Sequence, residues 1–189
     1  MKYKNDIDRC IATLEIGGLI LYPTDTIWGI GCDPLNEDAV NSIYKLKQRT
    51  ESKSMIILVA DEDQILKYTD SGLFHIYDYI KGVHKPTTVI YPKAKNLAKN
   101  LINSDGSIAI RVVKNEFCKM LIQQFGRPLV STSANVSGYP APGNFKDVDV
   151  LIRNGVDYIV EHRQDDEEIA APSTIVKIKE DGSIEVIRP

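Results

Sequence analysis

Pro128-Leu129-Val130-Ser131-Thr132-Ser133-Ala134-Asn135-Val136-Ser137-Gly138 passes from strand-forming apolar residues straight into a run of small hydroxyl and amide side chains. In an extended segment residues two apart share a face, so Ser131, Ser133 and Asn135 are expected to point one way and Thr132 and Ala134 the other. The first face then carries only hydrogen-bonding groups. Gly138 and Pro140 just beyond it allow the backbone to approach an anionic ligand closely. Taken alone, the same residues also make an ordinary polar turn, because Ser, Asn and Gly dominate turns for local reasons. The reading therefore depends on what the rest of the chain sets opposite them.

Working outward, the segment upstream reads as a helix over Glu116 to Phe125 that Gly126 ends. Before it, Ser107-Ile108-Ala109-Ile110-Arg111-Val112, Thr87-Thr88-Val89-Ile90-Tyr91 and Met55-Ile56-Ile57-Leu58-Val59-Ala60 read as strands. Asp61 with Gln64 forms a capping box for a short helix, and Leu73, Ile76, Tyr77 and Ile80 mark another. Near the start, Asn5 or Asp6 is expected to cap a helix bearing Ile7, Ile11 and Leu14, closed by Gly17-Gly18. Leu19 to Tyr22 and Trp28 to Cys32 follow as extended runs around the polar loop Pro23-Thr24-Asp25-Thr26, and Asn36 caps a helix with Ala39, Ile43 and Leu46 on its apolar side. Downstream, Asn144 is expected to cap a helix through Val148, Leu151 and Ile152, ended by Gly155. Tyr158 to Val160 reads as a strand, Glu161 to Glu168 as a solvated acidic loop, and Thr174 to Ile178 with Ile184 to Ile187 as a hairpin through Asp181-Gly182. This alternation predicts an α/β chain, α+β in strict usage. Its form is a three-layer fold with a mixed, twisted sheet whose strand ends gather polar residues around a locally basic cavity.

The chain has 189 residues, without repeats or an evident linker, so residues 1–189 read as a single domain. A formal charge of -3 gives no general electrostatic footprint for nucleic acid, and any polyanion must be held by a local Lys/Arg cluster. Cys10, Cys32 and Cys118 are odd in number and widely spaced, which argues against a disulfide framework or a zinc site. With no signal-like apolar segment and no membrane-length apolar run, a cytoplasmic location is expected. The P-loop pattern is absent, and His75, His84 and His162 form no evident triad with Ser or Cys.

The groups expected at strand ends are Thr24, Thr26, Lys47, Arg49, Lys53, Ser107, Arg111, Ser131, Ser133, Asn135, Ser173 and Arg188. Several cations with hydroxyls and an amide describe a polyphosphate and carboxylate site, since Arg grips such groups bidentately and hydroxyls fill the remaining lone pairs. Lys47 and Arg49 lie about 200° apart on a helix, so they serve one ligand only if the chain unwinds there, as the following Thr50-Glu51-Ser52-Lys53-Ser54 loop suggests.

Pro23-Thr24-Asp25-Thr26-Ile27-Trp28-Gly29-Ile30-Gly31, then Lys47-Gln48-Arg49, then Ser133-Ala134-Asn135-Val136-Ser137-Gly138, in this order and spacing, resemble the YrdC/Sua5/YciO family in its short bacterial form. The resemblance covers nearly the whole chain, from about Asp6 to Pro189. It implies a YrdC-like fold and L-threonylcarbamoyladenylate synthesis. L-threonine, bicarbonate and ATP, with Mg2+, would give threonylcarbamoyl-AMP and pyrophosphate, for modification of tRNA to N6-threonylcarbamoyladenosine by a downstream tRNA threonylcarbamoyltransferase. It implies that Lys47, Arg49, Lys53, Ser107, Ser133, Asn135 and Arg188 bind ATP, with Lys47, Arg49, Ser133 and Asn135 closest to the chemistry. Thr26, Arg111, Ser131 and Ser173 would face L-threonine, and no protein side chain is implied as a metal ligand. The alternative within the resemblance is a YciO-like protein that binds structured RNA or a nucleotide without making the adenylate. The chain departs from the family pattern at Thr50, at Val83-His84-Lys85-Pro86, at Glu161-His162-Arg163, and at Leu58, where longer members carry a histidine.

Overall fold

The computed structural model describes residues 3–49, 55–70, 82–179 and 181–189. Lys53, the Thr50 to Ser54 loop, His75 and the helix expected around Leu73 to Ile80 lie outside them.

Apolar alternation in the strands builds the sheet. In β1 (Ile20–Tyr22) Ile20 and Tyr22 pack into one core and Leu21 into another. In β3 (Ile56–Val59) Ile57 and Val59 face the second core while Leu58 faces the first. Both faces of these strands are therefore buried, as expected of strands between two layers. Helices α1 (Lys4–Glu15) and α3 (Glu116–Phe125) cover the first face through Ile7, Cys10, Leu14, Phe117, Leu121 and Ile122. Helix α2 (Glu37–Leu46) helps cover the other through Ala39, Val40, Ile43 and Tyr44. Each such large apolar side chain contributes roughly 1.5–3 kcal/mol on burial.

The remaining strands are β2 (Gly29–Gly31), β4 (Thr87–Tyr91), β5 (Ile108–Val112), β6 (Leu129–Ser133), β7 (Tyr158–Ile159), β8 (Thr174–Ile178) and β9 (Ile184–Arg188). They form one mixed sheet in the order β7-β1-β2-β6-β3-β5-β4-β8-β9. The pairs β1/β7, β3/β5 and β4/β8 are parallel and the others antiparallel. Strand β6 is the seam, since it joins β2 on one side and β3 on the other. The three-layer arrangement and mixed sheet expected from the alternation are thus present.

Local corrections follow from competing hydrogen bonds. Helix α1 begins at Lys4, before either expected cap, and Asp6 is buried. Its carboxylate accepts from Tyr158 Oη at 2.5 Å and from the backbone N–H groups of Glu161 and His162 at 2.9 and 3.1 Å, so it fastens α1 to the chain beyond β7. The segment after Glu161 is therefore no freely solvated loop, and Arg163 turns inward to donate to Thr24 O at 3.2 Å. Asn144 caps only a single 3-10 turn (Phe145–Asp147), and the helical turn α4 (Val150–Asn154) has its own cap in Asp149. Gln64 reaches back to the N–H of Ala60 rather than that of Asp61, and the short helix it stabilises is 3-10 (Glu62–Lys67).

The two glycines of β2 have separate reasons. A Cβ at Gly31 would lie 2.7 Å from the Tyr22 ring and 2.8 Å from Val130 O, so its absence lets Tyr22 cross the strand. At Gly29 a Cβ would lie 3.1 Å from Ser131 Oγ, on the wall of the cavity described next.

Candidate active site

The loop after α2 carries the first site residues. Lys47 closes the helix, Gln48 takes φ +50°, and the Arg49 N–H donates to Tyr44 O at 2.9 Å. A left-handed backbone costs a non-glycine residue roughly 1–2 kcal/mol. Here it unwinds the chain at the point the sequence required, and Lys47 reaches the turn that follows β6 while Arg49 reaches Thr132 within the strand. The Lys47 ammonium donates to Ser133 O and, at 2.6 Å, to Asn135 O, while Lys47 O accepts from the Ser137 N–H at 2.9 Å. Arg49 donates from Nη1 to Thr132 Oγ1 at 3.1 Å. Lys47 is only 1% exposed, and burial, with the charge of Arg49 nearby, lowers its pKa from 10.5 to about 7. Burial likewise lowers the Arg49 pKa.

Beside this turn lies a cavity of about 220 Å³. Its wall brings together Thr26, Arg49, Arg111, Ser131, Ser133, Ser173 and Arg188 from the expected set, and adds Thr88 and Thr132. Arg49, Arg111 and Arg188 supply three guanidinium groups, and no carboxylate or imidazole lines the wall among the described residues. Strand register explains much of this. Ile56 pairs with Ser131 and Ala109, and Leu58 with Arg111 and Leu129, so Ser131 and Arg111 project from the two strands that flank β3, on the face that α1 and α3 cover only in part. Leu58 is fully buried in the core against those helices and does not line the cavity.

Ser173 and Thr88 bond through their hydroxyls at 2.8 Å, and Arg188 donates from Nε and Nη2 to Ser173 O at 3.1 and 2.7 Å. This fixes one wall. Burial, and then the charge of Arg111, lowers the Arg188 pKa. Behind Thr26 and Ile27, which line the cavity, Thr24 Oγ1 is a hub. It lies 2.9 Å from Thr26 Oγ1, donates to Ile27 O at 2.9 Å and accepts from the Thr26 N–H at 3.0 Å.

Three expectations are corrected. The face shared by Ser131, Ser133 and Asn135 ends at Ser133, because the Asn135 N–H turns back onto Ser133 O at 2.9 Å and the strand stops. Asn135 then donates to Val136 O and Tyr139 O and lines a second hollow of about 560 Å³, which meets the first at Ala141. Thr132, assigned to the other face, lines the first cavity. Ser107 lies apart from both hollows, its hydroxyl donating to Asp105 at 2.5 Å and accepting from Asn103 at 2.9 Å.

Sequence reasoning missed Asp25. Its Oδ1 lies 3.1 Å from Arg111 Nη2, in an ion pair whose side chains are only 7% and 4% exposed, and its Oδ2 accepts from the Lys114 N–H at 3.1 Å. The one available signal was a carboxylate inside an otherwise neutral Pro-Thr-x-Thr loop. Among the described residues no cluster of His, Cys, Asp or Glu could hold a metal ion, and no helix is long and apolar enough to cross a membrane.

Comparison with known proteins identifies the family. A model of the Sua5/YciO/YrdC family, described as "Telomere recombination", matches residues 12–189. A Pseudoalteromonas translucida protein named threonylcarbamoyl-AMP synthase is 39% identical over 141 residues, 73% of this chain and 75% of its own length. A Coxiella burnetii (strain RSA 493) protein of the same name is 32% identical over 163 residues, covering 84% of this chain and 86% of its own length. The crystal structure of P. abyssi Sua5 complexed with L-threonine matches with a TM-score of 0.85 at 24% identity, over 97% of this chain and 53% of that one. The present chain thus spans about half of the archaeal protein.

Proposed function

Because the chain belongs to the Sua5/YciO/YrdC family, we propose that residues 1–189 act as a single-domain threonylcarbamoyl-AMP synthase, using L-threonine, bicarbonate and ATP. The observation that carries this reading is the pairing of two anion-binding regions in one cavity. Arg111, Arg49 and Ser133 all line that one cavity, and the reading gives the first to threonine and the other two to the phosphates. L-threonine and bicarbonate condense to a carbamate with loss of water. A carbamate oxygen then attacks the α-phosphorus of ATP and pyrophosphate leaves. Such a step is accelerated mainly by alignment and by neutralising charge on the phosphates.

In this reading Arg111, Thr26, Ser131 and Ser173 receive L-threonine, and Arg49, Ser133 and Arg188 the phosphates. Lys47 and Asn135 hold the turn after β6 that the reading gives to the phosphates, and the family resemblance gives Lys53 to ATP as well. Ser107 is left out, because its hydroxyl is already engaged by Asp105 and Asn103. The base end of the nucleotide extends into the adjoining hollow. Together the two hollows have the dimensions of a cofactor-sized site, roughly 300–1,000 Å³. Mg2+ would come in on the phosphates and offset their charge there, since among the described residues no His, Cys, Asp or Glu cluster could hold it separately. The product passes to a tRNA threonylcarbamoyltransferase in the cytoplasm. The decisive assay is pyrophosphate release from ATP, which should require both L-threonine and bicarbonate; turnover indifferent to threonine would exclude this function.

Lys47 gives a second expectation. With its pKa near 7 in the free protein, the side chain is largely neutral at pH 8.5. Between pH 7 and 10.5 the unfolded chain holds a proton that the folded protein lacks, so Lys47 makes stability rise with pH across that window. Phosphates placed beside the turn restore the charge. ATP binding with Mg2+ at pH 8.5 should take up about one proton, falling away at pH 6 where Lys47 is already charged. Calorimetry in buffers of differing ionisation enthalpy measures this, and the absence of uptake at pH 8.5 would place the phosphates elsewhere.

A further inference from the structure

We infer that Asp25 is a positioning residue for carboxylate recognition: it holds Arg111 in one orientation so that the rest of the guanidinium meets the carboxylate of the amino acid. The inference rests on the threonine side of the cavity assigned above. Arg111 Nη2 lies 3.1 Å from Asp25 Oδ1 in an ion pair whose geometry is not that of a hydrogen bond, and donates to Thr24 Oγ1 at 3.4 Å. Arg111 Nε, by contrast, is fully buried and has no hydrogen-bond partner among the described residues, although Arg111 lines the cavity. A buried, unpaired guanidinium N–H costs free energy until an acceptor arrives. Asp25 itself does not line the cavity, so it does not compete for substrate from within it.

The carboxylate is in turn held. Its second oxygen accepts the Lys114 N–H, and the Lys114 ammonium donates to Val83 O at 2.5 Å and His84 O at 3.2 Å. Asp25 therefore joins the end of β5 to the Thr24 loop, while Lys114 extends the connection to the segment before β4. A planar guanidinium fixed at one nitrogen presents the others in a set plane, which is the arrangement bidentate recognition needs. Without Asp25 only the long bond to Thr24 Oγ1 holds that nitrogen, and the charge it presents is less firmly aimed.

The experiment compares wild type with Asp25→Asn, which keeps volume and an acceptor, and with Asp25→Ala. Calorimetry would measure affinity for L-threonine, for L-threoninol, which lacks the carboxylate, and for ATP. L-threonine affinity should fall roughly 10–100-fold in Asp25→Ala and less in Asp25→Asn, the range seen when a group that orients a binding residue is removed. Affinity for L-threoninol and ATP should stay unchanged, so the preference for the carboxylate collapses selectively. Equal losses for L-threonine, L-threoninol and ATP, or none, would overturn the inference. A ligand-free readout separates it from the assignment of threonine. Modification of Arg111 by phenylglyoxal, followed by mass spectrometry, should quicken in both variants. If wild type binds no threonine yet Arg111 reacts faster in the variants, positioning stands while the substrate reading fails. If the rate is unchanged, positioning fails whatever the substrate.

Discussion

Replacing Arg111 with alanine is expected to abolish measurable L-threonine binding and to lower unfolding stability by about 3–5 kcal/mol, because the change strands a buried carboxylate. The partner left behind is Asp25, only 7% exposed and retaining a single backbone N–H from Lys114. Two effects of different origin are superimposed, and a second mutation separates them. In an Asp25→Ala/Arg111→Ala protein the stranded charge is gone, so stability should recover in part while threonine binding stays lost. Urea denaturation reads the first quantity and calorimetry the second. A single Arg111→Ala protein as stable as wild type would show that water reaches Asp25 more freely than its burial implies.

The second large effect is expected at Arg49. Its guanidinium reaches the cavity and braces Thr132, on the side the proposed function gives to the phosphates. Arg49→Ala should therefore leave threonine affinity unchanged while slowing pyrophosphate release roughly 10²–10³-fold, the usual consequence of removing one preorganised donor from a developing charge. The contrast with Arg111 is informative. In the proposed function one guanidinium seats the amino acid and the other carries the chemical step, so the two variants should fail in different assays. A loss of threonine binding in Arg49→Ala would mean that the two halves of the cavity are not independent.

The strands and main helices were legible in the sequence because their apolar alternation and caps are local. Asn36 and Asn115 cap α2 and α3, Gly126 ends α3, and Gly182 turns the last hairpin, each through hydrogen bonds within a few residues. What escaped was set by partners far along the chain. Asp6 resembled a helix cap and instead ties α1 to residues Tyr158 to His162. Arg163 sat in an acidic stretch and folds back onto Thr24. The functional set was legible as a list of residue types but not as a geometry. Alternation along β6 placed Asn135 beside Ser131, whereas the bend created by the Lys47 ammonium on two carbonyls sends it to the neighbouring hollow. Asp25 was hidden for the same reason, since nothing near it in sequence announces Arg111 as its partner.

The strand order also has a consequence for how the protein is made. One edge pairing joins Ile20 to Tyr158, and near the other edge Thr87 meets Thr174, so both parallel closures wait on segments synthesised long after their partners. Contacts of such wide sequence separation close slowly, and folding rates fall as they come to dominate. Arg188 and Ser173, which form one wall of the cavity, arrive with the last strands. A nascent chain would thus hold its phosphate turn while still lacking the wall opposite. During that interval the unpaired edge of β4 is exposed to other chains, a hazard that ends only when β8 docks.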